Sequence, residues 1–190
     1  MQTAEHSLDP EAVIREFQQP LLGYLRRYVG NPTVAEDLLQ ETWMRMTRGL
    51  EGFAGHSSIK TWLFTIASRV AADYLRRPVN KVRLVDLDEA GEIIDPAQEI
   101  GDKVIADEMS DCVREVIDSL PDAYRSTLLL HDLQDFSLEQ TAEIAGSTPG
   151  ATKIRLHRAR QRLKAALDRE CDFYHSRQGV FRCDRKSDDE

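Results

Sequence analysis

An all-α protein of two small helical domains joined by a flexible acidic linker is what this sequence predicts, on three observations. Apolar residues recur at helical spacing along most of the chain, whereas strand-like alternation is scarce. The run from Asp86 to Asp111 holds ten acids and one base, Lys103, with Gly91, Pro96 and Gly101 interspersed, which is a linker composition. The stretch from Pro149 to Arg169 holds seven basic residues against the single acid Asp168, inside a chain of net charge −8. With 190 residues and 41% hydrophobic content, two small cores can be filled. The expected units are residues 11–80, a linker at 81–105, a second helical unit at 106–169 and a cysteine-containing tail or hairpin at 170–190.

Residues 1–10 read as a frayed tail, and Asp9 followed by Pro10 is a helix start. Val13, Ile14, Phe17, Leu21, Leu22, Tyr24, Leu25 and Tyr28 supply an apolar face, broken at Gly30, Asn31 and Pro32. Pro20 inside that pattern predicts a kink or a shifted start. A second helix is expected over residues 33–48, with Ala35, Leu38, Leu39, Thr42, Met46 and then Leu50 inward and Glu36, Asp37, Gln40, Glu41 and Arg45 outward. Three glycines between Gly49 and Ser58 predict a loop, anchored by Phe53. In the helix expected over residues 59–77, Leu63, Ile66, Ala67, Val70 and Tyr74 can face a core. Trp62, Thr65, Arg69, Asp73 and Arg76 share the opposite side. Aromatic and cationic side chains on one face suit stacking on unpaired bases beside phosphates, although Trp62 as a simple core residue is an equal alternative.

Helices resume near Ala106, with Met109, Val113, Val116, Ile117 and Leu120 inward, stop at Pro121, and restart with Tyr124, Leu128, Leu129 and Leu130 inward. Ser137 with Gln140 three residues later is a capping signature, Gly146 a stop, and the turn to Gly150 leads into the basic helix. A short helix, a tight turn and a long basic helix make a helix-turn-helix, whose natural counterpart is a phosphate backbone. On that helix Ile154, Leu156, Ala159, Leu163, Ala166 and Leu167 are expected to form the packed stripe.

No apolar run is long enough to span a bilayer, and the N-terminal residues lack a signal-peptide pattern, so a cytoplasmic protein without membrane insertion is expected. Three cysteines in such a chain argue for thiols, a metal site or a redox pair rather than a disulfide framework. An enzyme is not expected: His131, Asp132 and His157 have no zinc-protease partner motif, and no P-loop is present.

AEDLLQETWMRM (residues 35–46), SSIKTWLFTIASRVAADYLRR (residues 57–77) and LPDAYRSTLLLHDLQDFSLEQTAEIAG followed by ATKIRLHRAR are, in that order, similar to the extracytoplasmic-function sigma factors, initiation factors of bacterial RNA polymerase. The resemblance covers residues 11–169 and is nearest to the sigma-Z-like branch. It implies that Asp37, Gln40 and Glu41 bind the β′ clamp helices of core RNA polymerase, and that the unit they belong to opens the minus-ten element. Phe53, Ser58, Lys60 and Trp62 would line the base-capturing region, with Arg69 and Arg76 on the DNA backbone. The basic helix would read the minus-thirty-five element of promoter DNA, with Lys153, Ile154, His157 and Arg158 nearest base edges. Arg158 is the foremost base reader. Arg155, Arg160 and Arg162 fall to phosphates or to the polymerase β flap. An anti-sigma factor is a further partner that the resemblance admits. Two departures stand out, Arg69 where many relatives have asparagine and Ile154 where they have serine, so an unusual promoter sequence is expected. The alternative is a stand-alone helix-turn-helix regulator with a thiol- or metal-responsive tail, although no dimerisation element is evident.

No cofactor is expected for the main function. In the tail, Ser176 to Gly179 is a turn signal between runs containing Phe173, Tyr174, Val180 and Phe181, which predicts a hairpin whose aromatics dock on the second unit. It would bring Cys171, His175 and Cys183 together, and Cys112 could complete a set that zinc accepts. Free thiols acting as small apolar residues are the plainer alternative.

Overall fold

The computed structural model describes residues 8–77, 111–175 and 181–186, so the expected linker, the first residues of the second unit including Met109, and the hairpin turn lie outside the described residues. Helix α1 spans Pro10–Val29 and is started by the Asp9 carboxylate, which accepts from the Glu11 N–H. It runs unbroken through Pro20. Proline there removes the bond that would reach the Glu16 carbonyl, but Leu21, Tyr24 and Leu25 immediately beyond are fully buried, and that burial holds the helix together. At Gly30 the chain takes a φ of 66°, which ends the helix without a Cβ penalty.

Helix α2 (Pro32–Gly49) is capped by Asn31 and buries Ala35, Leu38, Leu39, Thr42 and Met46 as expected, whereas Leu50 lies just past its end and is only partly buried against the core. A 3-10 turn, Leu50–Gly52, follows, and then a loop to α3 (Ile59–Leu75). Helix α3 buries Leu63, Ala67 and Val70 as expected, and also Phe64, Ser68 and Ala71, so its buried face is broader than a single stripe.

In the second half, α4 (Asp111–Ser119) and α5 (Asp122–Leu128) are separated at Pro121. A π-helical turn, Leu129–Leu133, extends α5, a feature that apolar spacing does not reveal. Helix α6 (Leu138–Ile144) begins with the complete capping box: the Gln140 N–H donates to Ser137 Oγ, and the Ser137 N–H donates to the Gln140 side chain. Gly146, at a φ of 61°, turns the chain, and Thr148 caps α7 (Pro149–Glu170) with Pro149 in its first turn. Strands β1 (Cys171–His175) and β2 (Phe181–Arg185) form an antiparallel hairpin in which Phe173 pairs with Cys183.

The two halves share one buried apolar cluster. Phe64 of α3 meets Phe136 edge-on with 5.0 Å between ring centroids. The fully buried Tyr24 joins the halves by polar contacts, its hydroxyl lying 2.8 Å from Ser68 Oγ on α3 and 3.3 Å from Ser126 Oγ on α5. Burial, with a smaller contribution from Tyr28, pushes the Tyr24 hydroxyl well above the usual tyrosine range, so it is neutral.

Candidate nucleic-acid and partner interfaces

Three surfaces carry the residues that the sequence singles out. On α2, Asp37 and Gln40 are exposed and Glu41 is partly exposed, its carboxylate held 2.8 Å from Arg45 Nε. These three lie on one side of the helix because they are three and four residues apart. Met44 joins them on the same side at 49% exposure. Sequence reasoning missed it, although the signal was present: a methionine one turn beyond Gln40 interrupts an otherwise polar face.

The second surface lies at the start of α3. Ser58 caps the helix, accepting from the Thr61 N–H at 3.0 Å, so its hydroxyl already has a structural task. Trp62 is partly buried, with its ring 5.0 Å from Phe53 and its edge beside Gly49, where even a Cβ would come within 3.1 Å. Phe53 and Trp62 therefore lie together as one packed pair. Lys60 is the larger difference. Its ammonium donates to the Gln134 carbonyl at 2.8 Å and lies 4.5 Å from the centre of the Phe136 ring, both in the other half of the protein. Arg69 and Arg76 remain exposed further along the same face, with Arg76 3.5 Å from Asp73.

The third surface is the outer side of α7. Lys153, Ile154, His157 and Arg158 are all exposed, and Arg155 is partly so. The expectation that Ile154 belongs to the packed stripe is corrected: it is 56% exposed, and Thr152 takes the inward position in the helix's first turns. The stripe runs Thr152, Leu156, Ala159, Leu163, Leu167, a 3.6-residue rhythm into which position 154 does not fit. Arg160 and Arg162 are also engaged within the protein. Arg160 donates to both oxygens of Asp132 in the π-helical turn, through Nε at 3.0 Å, and Arg162 stacks on Tyr124 at 4.8 Å.

In the tail, Cys171 is buried and disulfide-bonded, so of the three expectations for the cysteines a free thiol or a thiolate ligand is corrected at this position, and a paired cysteine is what the structure holds. The physical reason is folding: α4 packs on α7 and on the hairpin, so cysteines distant in sequence sit on neighbouring elements. The side chains of Cys112, His175 and Cys183 lie outside the described residues. Phe173 and Tyr174 are 37% and 42% exposed, whereas the expectation was that these aromatics would be docked. Among the described residues no helix is long and apolar enough to cross a membrane.

Comparison with known proteins adds an independent line. Residues 13–79 match the family described as Sigma-70 region 2, and residues 110–163 match Sigma-70, region 4. The chain is 32% identical over 161 residues to the RNA polymerase sigma factor YlaC of Bacillus subtilis, covering 84% of this chain and 92% of that one. It is 29% identical to the RNA polymerase sigma factor SigZ of the same organism, covering 86% of this chain and 90% of that one, which does not single out that branch. Among solved structures, the sigma factor RpoE crystallised with the anti-sigma factor NepR from Bartonella quintana is 26% identical. The match covers 83% of this chain and 96% of that one with a TM-score of 0.65.

Proposed function

Because the chain belongs to the extracytoplasmic-function group of the sigma-70 family, we propose that its three surfaces divide the work of a promoter-directing transcription initiation factor. The face of α2 bearing Asp37, Gln40, Glu41 and Met44 attaches to the β′ clamp helices of core RNA polymerase. Its carboxylates meet a basic surface, and Met44 supplies an apolar centre. The outer side of α7 enters the major groove of the upstream element, and the start of α3 with Phe53, Lys60 and Trp62 takes up a base of the opened downstream element. Arg69, Arg76 and Arg155 neutralise phosphates, and the β flap receives part of the second half.

Strand opening needs no catalytic group under this reading. Holding an unstacked base lowers the free energy of the open state, so opening is driven by binding, and no cofactor or metal is invoked. By the same reasoning the protein works in the cytoplasm, where promoter and polymerase are. An anti-sigma factor is a further partner, as NepR is for the Bartonella protein. That partner would cover surfaces the polymerase needs.

The observation that carries the proposal is the capped helix-turn-helix, which presents a basic helix outward from an acidic protein. Its test is reconstitution. Core polymerase with this protein should start transcription at a specific subset of a promoter library, and core polymerase alone should not. Asp37→Ala combined with Glu41→Ala should abolish co-elution with polymerase and leave the circular dichroism spectrum unchanged, because both side chains lie on the open face of α2. Full co-elution of the double variant would remove α2 from the proposal.

A further inference from the structure

Ile154 has the greatest exposure of any large apolar side chain among the described residues, at 56%. At about 100° per residue it stands roughly 180° from the centre of the buried stripe of α7, so it forms the outermost ridge of the helix. Gly150 and Ala151 lie one turn before it, and His157, Arg158 and Gln161 one and two turns after, all exposed. The helix therefore presents an apolar knob with almost no bulk on its N-terminal side and cations, Lys153 and Arg158, beside it. An apolar group ringed by positive charge has few matching surfaces. It needs a partner that is anionic around its edges and carries an isolated apolar point within. A lipid surface would call for an apolar stripe, which α7 turns inward instead. In the DNA major groove the phosphates provide the anionic edges and the C5 methyl group of thymine provides the apolar point.

We propose that Ile154 is a specificity-determining residue that reads a thymine methyl group in the upstream element. This rests on the reading of α7 as the helix that enters the groove. Lys153 and Arg158 bring the helix in and fix its position, and the small side chains at 150 and 151 let it approach until Ile154 touches the groove floor. Serine at the same position would accept or donate a hydrogen bond and favour no methyl, so the choice of isoleucine changes which base is preferred.

The test uses holoenzyme assembled from the full chain and core polymerase. An upstream element is first selected from a randomised library, and each of its thymines is then replaced singly by deoxyuridine, which removes only the methyl group. At one position the wild-type holoenzyme should lose about fourfold in affinity, the amount expected for one buried methyl. Ile154→Ala should bind the thymine duplex about as weakly as wild type binds the deoxyuridine duplex, and should no longer distinguish the two. Alanine favours helix, so the variant keeps α7 intact. Equal affinity for thymine and deoxyuridine at every position, or a selected element without thymine, would overturn the proposal. So would a loss of holoenzyme assembly by Ile154→Ala in the absence of DNA, since Ile154 would then be a protein contact. If scrambling the whole element changed nothing, the parent reading of α7 would fail. If scrambling mattered and methyl removal did not, only the role of Ile154 would fail.

Discussion

Lys60 at the start of α3 and Arg158 on α7 are both cations on surfaces assigned to promoter DNA, yet their surroundings differ. Lys60 donates from its ammonium to the Gln134 carbonyl and covers the Phe136 ring, and its neighbour Trp62 packs against Phe53 with the rings tilted. Arg158 projects from the exposed side of a helix whose opposite side is fully packed. The α7 surface is therefore available without rearrangement, whereas the α3 surface contributes to the contact between the halves. The physical consequence is an ordering. On the proposed reading a duplex can be met by α7 as it stands, whereas base capture at the start of α3, if Lys60 takes part, would require Lys60 to exchange one partner for another, at a cost set by the contacts it leaves.

The largest expected effect probes the shared core on which this comparison depends. Phe64→Ala removes a fully buried ring that touches both Tyr24 and Phe136, and should cost about 3–5 kcal/mol. Because the ring bridges the halves, both should lose stability together. Thermal unfolding followed at a probe in each half should show one transition at a lower temperature. Unfolding of α1–α3 alone, with α5–α7 unchanged, would mean that the two surfaces belong to independent bodies and that their difference has no mechanical meaning.

Two variants within α7 separate base reading from the placement of the helix. Arg158→Ala should weaken promoter binding by about 1–3 kcal/mol in a manner that depends on the upstream sequence. Arg160→Ala should act differently, because Arg160 is bound to Asp132 and its loss loosens the recognition helix on the π-helical turn. It should weaken cognate and scrambled elements alike and lower the melting temperature. Competition binding on the two kinds of duplex distinguishes the cases. Sequence-dependent loss in Arg160→Ala would transfer the base-reading role to it.

Much of the fold is legible in the sequence. Helix order, the capping box at Ser137 and Gln140, and the break at Gly30 to Pro32 follow from local rules, because caps, prolines and left-handed turns act over three or four residues. The inward set of α2 is legible for the same reason. What escaped depends on distance in sequence. Lys60 and Gln134 are 74 residues apart, and Arg160 and Asp132 are 28 apart, so neither pairing is implied by spacing. The exposure of Ile154 is hard to read from sequence because Leu156 and Ala159 nearby are inward, and two positions along a helix correspond to opposite faces. The buried, disulfide-bonded state of Cys171 likewise depends on how α4, α7 and the hairpin meet.

A smaller effect is expected at Lys60 itself. Lys60→Met keeps the aliphatic stem over Phe136 and removes the charged donor to Gln134, which should cost the free protein about 1 kcal/mol. In the holoenzyme the same change should reduce open-complex formation while leaving binding to an isolated upstream duplex unchanged. Equal loss in both assays would erase the distinction between an engaged surface and an available one.

The smallest effect concerns Tyr24, whose hydroxyl lies between Ser68 in one half and Ser126 in the other. Tyr24→Phe keeps the ring and its packing on Phe64 and Tyr28, and removes only the polar link between neutral groups, so the loss should be about 0.5 kcal/mol. The pH dependence identifies the cause. Burial raises the folded-state value of this hydroxyl above that of the unfolded chain, so the unfolded state releases its proton first. The contribution to stability from keeping Tyr24 neutral is complete below about pH 10, the unfolded value, and declines as the pH rises beyond it towards the higher folded value. Wild-type stability should therefore fall more steeply with alkaline pH than that of Tyr24→Phe, and the two curves should converge. Tyr28, raised in the same direction by its own burial, remains in both proteins and cancels from the difference. Parallel curves above pH 10 would mean that the Tyr24 hydroxyl is open to solvent, and that the halves are held together by the Phe64 and Phe136 contact without it.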